Sequence, residues 1–192
     1  FETFVDAFCG AGAASIWIAS RYPNVKFILN DFNNEMMSLY RQLSEDGDEF
    51  IRKAIVVQNK FQSYTEQEDK KSYYEELKYR HIDQMDDPMD EAVQLYVMLR
   101  VNFNGWWKIY NYSKGRYATP AGVLDKPRII SVRDLKKWSN FLSTRCTLLN
   151  GDFDGVVEHI KDKSYVYFDP PYRDSTTVYT EDDFDEDDQI RL

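Results

Sequence analysis

The feature that most constrains the fold is a glycine turn between two apolar runs near the start of the chain. Residues 3–8 have the apolar character of a buried strand, Cys9-Gly10-Ala11-Gly12 interrupt it, and an alanine-rich stretch follows over residues 13–19. A strand, a glycine turn and a helix in this order are typical of an alternating fold. We therefore predict an α/β protein with a mostly parallel sheet.

Further strands and helices continue this alternation. Residues 25–29 predict a second strand, and Asn33 is placed to cap a helix that runs to about Leu43. Later in the chain the pattern predicts two helices, over 131–142 and 154–160, and two short strands, over 146–149 and 165–168. We expect all of these strands to belong to one sheet.

The middle of the chain has a different character. From residue 48 to about 103 the periodicity is helical, with breaks near Tyr64 and at Asp87-Pro88, and residues 108–119 predict a hairpin with its turn at 112–115. We therefore predict a catalytic domain formed by residues 1–47 and 143–192. Residues 48–142 would form an inserted, mostly helical subdomain that carries the hairpin.

Chemically informative residues follow the predicted strands directly. Asp31, Asp152 and Asp169 each come after a strand, as does the glycine turn. In an open α/β sheet, ligands bind beyond the carboxyl ends of the strands. We therefore expect these residues to form one site.

The first part of that site has the pattern of a nucleoside pocket. Gly10 and Gly12 allow a ligand to approach the backbone, and Asp31, 19 residues after Gly12, is placed to bind ribose hydroxyls. A nicotinamide nucleotide would use the same geometry. However, Asp6 would repel a pyrophosphate and suits the ammonium of a methionine moiety, while the Phe8 ring can attract a sulfonium. The pattern favours S-adenosylmethionine.

The adenine of this cofactor has its own candidate partners. Gly151-Asp152-Phe153 follow the third predicted strand. Asp152 can accept a hydrogen bond from the adenine amino group, and Phe153 can lie against the ring.

The catalytic candidate is Asp169-Pro170-Pro171-Tyr172, directly after the last strand. An aromatic amine is a poor nucleophile because its lone pair is delocalised into the ring. The Asp169 carboxylate and the Pro170 carbonyl can each accept one N–H and direct the lone pair at a methyl group. The two prolines stiffen the turn, and Tyr172 can stack on an extruded base.

The charge of the chain is unevenly distributed. The net charge is −9, but residues 100–137 hold nine basic and two acidic residues, which gives +7 there and −16 elsewhere. A basic segment in an acidic chain can face nucleic-acid phosphates. A run of charge is more often only a solvated face.

At these residues the chain resembles the Dam-type, or D12 class, family of adenine-N6 DNA methyltransferases. The likeness covers almost the whole chain: residues 4–12 resemble the family's cofactor loop, 29–33 its second motif, and 102–122 its DNA-reading hairpin. The resemblance implies a Rossmann-like S-adenosylmethionine-dependent methyltransferase sheet. It also implies methyl transfer to adenine N6 in double-stranded DNA with base flipping, and S-adenosylhomocysteine as product. The DNA-binding candidates are Phe103, Asn104, Gly105, Lys108, Lys114, Arg116 and Pro120.

The chain also departs from the family pattern. Ala7 replaces a proline common in the cofactor loop, Lys108 stands where GATC-reading members carry an arginine, and Trp106-Trp107 are bulkier than usual. The target sequence is therefore open. The family's N-terminal segment and its final strands lie outside this sequence, so we expect the sheet to be incomplete at both ends.

Other functions remain as alternatives. An RNA adenine-N6 methyltransferase would use the same catalytic loop but lack a DNA-type hairpin, and a protein or guanine-N2 methyltransferase would prefer asparagine at position 169. A cofactor-binding or DNA-binding module without turnover is a further alternative, against which Asp169 and Tyr172 count.

The composition bears on metals and location. Two cysteines and two histidines provide almost no zinc ligands, so we expect no metal. No run approaches the roughly 20 apolar residues of a membrane span, and we expect a cytoplasmic protein of bacterial or phage origin. The oligomeric state is open.

Overall fold

The computed structural model describes residues 1–78, 87–103, 119–122, 129–171 and 186–192. Its sheet contains four parallel strands, β1 (Thr3–Asp6), β2 (Lys26–Leu29), β3 (Cys146–Leu148) and β4 (Ser164–Tyr167). They are arranged in the order β3-β2-β1-β4. The predicted α/β class and the parallel sheet are confirmed.

Seven α-helices lie among the described residues. They are α1 (Ala13–Arg21), α2 (Asn34–Glu45), α3 (Gly47–Ser63), α4 (Gln67–Lys78), α5 (Pro88–Val101), α6 (Val132–Arg145) and α7 (Glu186–Arg191). The predicted breaks near Tyr64 and at Asp87-Pro88 are confirmed. At the second break the Asp87 side chain caps α5 by accepting a hydrogen bond from the Met89 N–H at 3.0 Å. Within the described residues, no helix is long and apolar enough to cross a membrane.

The other strands and helix α6 begin or end one to three residues from the predicted positions, and two elements differ in a more informative way. The strand predicted for residues 3–8 ends at Asp6, because the next carbonyl, that of Ala7, accepts a hydrogen bond from the Asn30 side chain at 3.1 Å. The helix predicted for 154–160 is a 3-10 segment, Phe153–His159. It is short and contains Gly155 followed by two valines, a composition that disfavours a regular α-helix.

The chain divides into two compact units, one formed by Phe1–Arg41 with Phe141–Leu192 and the other by Gln42–Asn140. The first contains the sheet, which is covered on both faces as parallel sheets generally are. On one face Phe4 stacks on Tyr165 with ring centroids 5.9 Å apart, and Phe27 meets Phe141 edge-on at 4.9 Å. The buried cluster on the other face consists of Val5, Ala7, Ile28, Phe153 and Val156.

The second unit is helical in its described part. Phe50 and Ala54 on α3, Tyr74 on α4 and Val97 on α5 are all completely buried. The Tyr74 hydroxyl donates a hydrogen bond of 2.7 Å to the Thr119 carbonyl. This bond joins α4 to the short described segment 119–122.

The register of the sheet aligns the carboxyl ends of its strands. Asp6 pairs with Leu29 and with Tyr167, and Leu29 pairs with Leu148. The four loops after these residues therefore leave the sheet along one edge, which we call the carboxyl edge. β1 has β2 on one side and β4 on the other, and such a reversal of strand order is where α/β sheets bind ligands.

Asn30 joins three of these loops. Its side chain is 2% exposed, and its amide nitrogen donates to the carbonyls of Ala7 at 3.1 Å and Gly151 at 3.0 Å. Its backbone N–H donates to the Asp6 carbonyl at 2.9 Å, and its own carbonyl accepts from the Cys9 N–H at 2.8 Å. The loops after β1 and β3 are thus held against the loop after β2.

We predict that Asn30→Ala lowers the free energy of unfolding by about 1 to 3 kcal/mol, because two buried carbonyls lose their donor. Urea unfolding measures the loss. Asn150→Ala is the control, since Asn150 donates from a half-buried position to the Asp31 carbonyl at 2.9 Å. Its loss should be smaller, and equal losses for the two variants would contradict the role of Asn30.

Candidate active site

The glycine turn after β1 requires backbone conformations that side chains disfavour. Gly10 has φ +45° and Gly12 has φ +74°, both in the left-handed region. No atom lies within 4 Å of the position that a Cβ on Gly10 would occupy, considering the described residues. α1 begins directly after the turn and has no side-chain hydrogen bond at its N-cap. The turn therefore leaves open space at the carboxyl edge, next to the first N–H groups of α1, which have no partner within the helix.

Asp31 follows β2 and is fixed against that turn. Its Oδ2 accepts a hydrogen bond from the Gly10 N–H at 2.7 Å, and its Oδ1 accepts from the Asn33 N–H at 2.9 Å. The predicted cap of α2 is present, since Asn33 Oδ1 accepts from the Met36 N–H at 3.0 Å. Each carboxylate oxygen has a second lone pair, so Asp31 keeps acceptor capacity for a ligand.

Asp6 lies at the end of β1 and is only 1% exposed. Its Oδ2 accepts from the Ser15 hydroxyl at 2.6 Å, whereas its Oδ1 has no well-formed hydrogen bond from any described residue. Burial raises the pKa of Asp6 to about 6, and the charges of Asp31 and Asp169 add to the rise, which Ser15 and the Phe8 backbone oppose. This burial closes the carboxyl to direct contact with a ligand in the conformation described.

The Asp169 side chain is exposed directly after β4. The Tyr167 hydroxyl lies 3.4 Å from its Oδ2, a long hydrogen bond. Pro170 and Pro171 are half-buried, and the Gln189 side chain on α7 donates to the Pro171 carbonyl at 3.4 Å. The carboxylate is therefore open to a substrate, while the chain behind it is contacted by α7.

Asp152 caps the 3-10 segment and binds an arginine that sequence reasoning missed. Its Oδ1 accepts from the Asp154 N–H at 3.1 Å and from Arg191 Nη2 at 2.7 Å. Burial alone would raise the pKa of Asp152, but these hydrogen bonds outweigh it and hold the pKa below its ordinary value. Its other oxygen, Oδ2, takes no part in these two contacts.

Phe153 belongs to the sheet core and is 7% exposed. Its ring stacks on Phe8 with centroids 5.5 Å apart, and the Arg191 guanidinium lies 4.8 Å from its centroid. A cofactor ring could lie against Phe153 only after Arg191 had moved. In the sequence, Arg191 stands near the end of an acidic run, and no sequence pattern there indicates a contact with Phe153.

Among the DNA-binding candidates, Phe103 and Pro120 are described. The Phe103 side chain is 49% exposed, and its N–H donates to the Pro120 carbonyl at 2.9 Å. Beside them Asn102 and Ala121 form an antiparallel bridge. A Cβ on Gly122 would come within 2.7 Å of the Asn102 carbonyl oxygen, so glycine is required for this close approach.

The remaining candidates lie outside the described residues. They are Asn104, Gly105, Lys108, Lys114, Arg116 and Tyr172, and most of the predicted hairpin lies there too. In the ranges that are described, no group of three or more metal-ligating side chains is present.

The sequence-predicted residues thus meet in part. Asp6, Asp31 and Asp169 are close enough that the charges of the latter two raise the pKa of the first. They lie around the glycine turn, after which α1 begins without a side-chain cap. The carboxyl edge therefore combines negative charge, which attracts a cation, with backbone donors suited to a carboxylate.

The raised pKa of Asp6 predicts a pH dependence of stability. Between about pH 4 and pH 6 the folded protein retains a proton that the unfolded chain releases, so the free energy of unfolding falls as the pH rises. The fall is on the order of 3 kcal/mol. Asp6→Asn should remove this component, and urea unfolding between pH 4.5 and 8 would measure it.

Asp162→Asn, at an exposed aspartate before β4, controls for the loss of one negative charge. Parallel pH profiles for the wild type and Asp6→Asn would contradict the raised pKa.

Comparison with known proteins gives consistent matches. A family model described as D12 class N6 adenine-specific DNA methyltransferase matches residues 1–192. The chain is 31% identical over 197 residues to type II methyltransferase M.MjaIII of Methanocaldococcus jannaschii, covering 100% of this chain and 67% of that protein. It is 30% identical over 201 residues to type II methyltransferase M1.LlaDCHI of Lactococcus lactis subsp. cremoris, covering 100% and 66%.

A further relative is the Retron Ec67 DNA adenine methylase of Escherichia coli, 26% identical over 186 residues, covering 95% of this chain and 60% of that protein. The chain spans 60 to 67% of the length of these relatives.

Proposed function

This chain belongs to the D12 class of N6 adenine-specific DNA methyltransferases, and we propose that it transfers a methyl group from S-adenosylmethionine to adenine N6 in duplex DNA. The observation that carries the proposal is the position of the exposed Asp169 carboxylate. It follows β4 and lies near Asp6 and Asp31, the acidic residues around the glycine turn after β1. The similarity of the chain to two type II methyltransferases supports a role in restriction and modification.

The carboxyl edge suits this cofactor chemically. Asp31 would accept hydrogen bonds from the ribose, and the first N–H groups of α1, directly after the glycine turn, would face the carboxylate of the methionine moiety. The charges of Asp6, Asp31 and Asp169 favour a ligand that carries an ammonium and a sulfonium. When bound, S-adenosylmethionine supplies an electrophilic methyl group.

We propose that Asp152 and Phe153 bind the adenine of the cofactor. Asp152 Oδ2 would accept from the adenine amino group. Phe153 and Phe8 would form the wall of the pocket, with Phe153 reached by the ring only when Arg191 withdraws.

The target base would be held at the other side of β1. Asp169 and the Pro170 carbonyl would accept the two N–H groups of the target amine and direct its lone pair away from the ring plane. Pro171 keeps the turn rigid, and Tyr172 would stack on a base flipped out of the duplex.

We propose that an inserted target-recognition subdomain over residues 48–142 reads the DNA. Support comes from the separate compact unit Gln42–Asn140 and from the positive charge of residues 100–137. The exposed ring of Phe103 could fill the space that a flipped base leaves. Asn104, Gly105, Lys108, Lys114, Arg116 and Pro120 complete the proposed surface, with residues 108–119 as a hairpin. The proposed setting is the cytoplasm of a bacterium or a phage-infected cell.

We predict that Asp169→Ala lowers kcat by about 100-fold or more, while the affinity for S-adenosylhomocysteine stays within a few-fold. Transfer of a tritiated methyl group to duplex DNA measures the first quantity, and calorimetry measures the second. The matched control is Asp162→Ala, because Asp162 and Asp169 are exposed aspartates at opposite ends of β4.

Lost cofactor binding in Asp169→Ala would make Asp169 a cofactor residue. If the wild type methylated ribosomal RNA but not duplex DNA, the proposed substrate would be wrong.

A second prediction separates base recognition from phosphate binding. Lys108→Ala should cost about 1 to 3 kcal/mol on the preferred site and relax the preference at one base position. Lys114→Ala should weaken binding to all sequences alike and lower the salt slope by about one. Methylation profiling of a randomised duplex library tests both, and uniform effects of both variants would leave Lys108 as a phosphate contact.

A further inference from the structure

Tyr40 on α2 contacts the glycine turn through its hydroxyl. The phenolic O–H donates a hydrogen bond of 2.7 Å to the Gly10 carbonyl, and the side chain is 6% exposed. Burial raises the pKa of the Tyr40 phenol well above its usual range. The hydroxyl therefore keeps its proton at neutral pH and remains a donor.

This hydrogen bond belongs to a connected set of hydrogen bonds that includes both oxygens of the Asp31 carboxylate. The Gly10 N–H donates to Asp31 Oδ2 at 2.7 Å, and Asp31 Oδ1 accepts from the Asn33 N–H at 2.9 Å. Asn33 in turn caps α2, which carries Tyr40. The carboxylate is thus held on one side by the start of α2 and on the other by the N–H of Gly10, a residue whose carbonyl Tyr40 binds.

Gly10 depends on such bonds more than other residues would. It has φ +45° and no side chain, and no described atom lies within 4 Å of where its Cβ would be. Side-chain packing therefore does not restrict its backbone angles. The Gly12 N–H holds the preceding peptide through the Cys9 carbonyl at 2.6 Å, and the Tyr40 hydroxyl holds the following peptide through the Gly10 carbonyl. Without the second bond, Gly10 could reach a wider range of backbone angles, as glycine does.

We propose that Tyr40 is a positioning residue for the cofactor: its hydroxyl holds the Gly10 carbonyl, limits rotation about the backbone angles of Gly10, and so keeps the Gly10 N–H on the Asp31 carboxylate. The inference rests on the proposed function, which assigns Asp31 to the ribose. Tyr40 acts through Gly10 and Asp31 and need not touch the ligand. Loss of the hydroxyl would loosen the hydrogen bond from the Gly10 N–H to Asp31, and the carboxylate would become less ordered. Ordering it again when the ligand binds would reduce the free energy of binding.

The test compares Tyr40→Phe with Tyr74→Phe in the full polypeptide. Tyr74 is completely buried, and its hydroxyl also donates to a carbonyl, that of Thr119, at 2.7 Å. Both variants lose one hydroxyl and one hydrogen bond of the same length. They differ in that only Tyr40 binds the glycine turn.

We expect both substitutions to lower the free energy of unfolding by similar amounts. In calorimetry with S-adenosylhomocysteine, Tyr40→Phe should raise the Kd by about 3- to 10-fold, and Tyr74→Phe should leave it within twofold. The KM for S-adenosylmethionine should follow the Kd, with kcat at saturation within twofold. In the ligand-free protein, hydrogen exchange at the Gly10 amide should accelerate in Tyr40→Phe, whereas exchange at Ile28 in β2 should change only with global stability.

Equal Kd values for the two variants, or an unchanged exchange rate at the Gly10 amide, would overturn the inference. A wild-type protein that fails to bind S-adenosylhomocysteine would instead refute the proposed function. In that case the exchange rate at the Gly10 amide alone decides whether Tyr40 holds the turn.

Discussion

The buried side-chain amide of Asn30 links loops that the sheet itself does not connect. The strands are only three or four residues long, and beyond them single backbone hydrogen bonds, such as that from the Gly151 N–H to the Asp31 carbonyl at 3.2 Å, replace the regular ladders. Beyond them, the carbonyls of Ala7 and Gly151 share the Asn30 amide as a donor. The glycine turn and the Asp152 loop therefore keep a fixed separation, on which any ligand bound between them depends. A buried amide that donates to a carbonyl on each side makes such a junction rigid. If one of the two hydrogen bonds were missing, the buried amide would weaken the junction instead.

The same edge concentrates like charges at a cost to the free protein. Burial first, and then the charges of Asp31 and Asp169, raise the pKa of Asp6 to about 6, so the ionised form of Asp6 is disfavoured there. A cationic ligand would relieve this repulsion. The cluster of acidic residues lowers the free energy of unfolding of the ligand-free protein, as binding sites commonly do. It would favour a cationic ligand over a neutral or anionic one before any hydrogen bond to the ligand is formed.

Much of the fold could be predicted because its determinants are local. The strand, glycine turn and helix are adjacent in sequence, and strand ends in a parallel sheet must meet, which anticipated the grouping of Asp6, Asp31 and Asp169. The contacts that fix the site are not local: Asn30 reaches Gly151, and Arg191 reaches Asp152. No periodicity reports such pairs. The pattern also could not tell whether Phe153 is a pocket wall or a core residue, because both roles need an aromatic ring after β3.

The antiparallel bridge between Asn102 and Ala121 has an evolutionary consequence. Because Phe103 and Pro120 are joined by a hydrogen bond and Tyr74 anchors Thr119, the ends of the intervening segment are fixed by the helical unit. Bringing the two ends of a flexible segment together costs an entropy that grows only slowly with its length, by about 0.6 kcal/mol for each doubling. A change in the length of the sequence between these ends therefore costs the helices that carry them little stability. Since we propose that this sequence reads the DNA, target specificity could change there without any change in the residues proposed for methyl transfer.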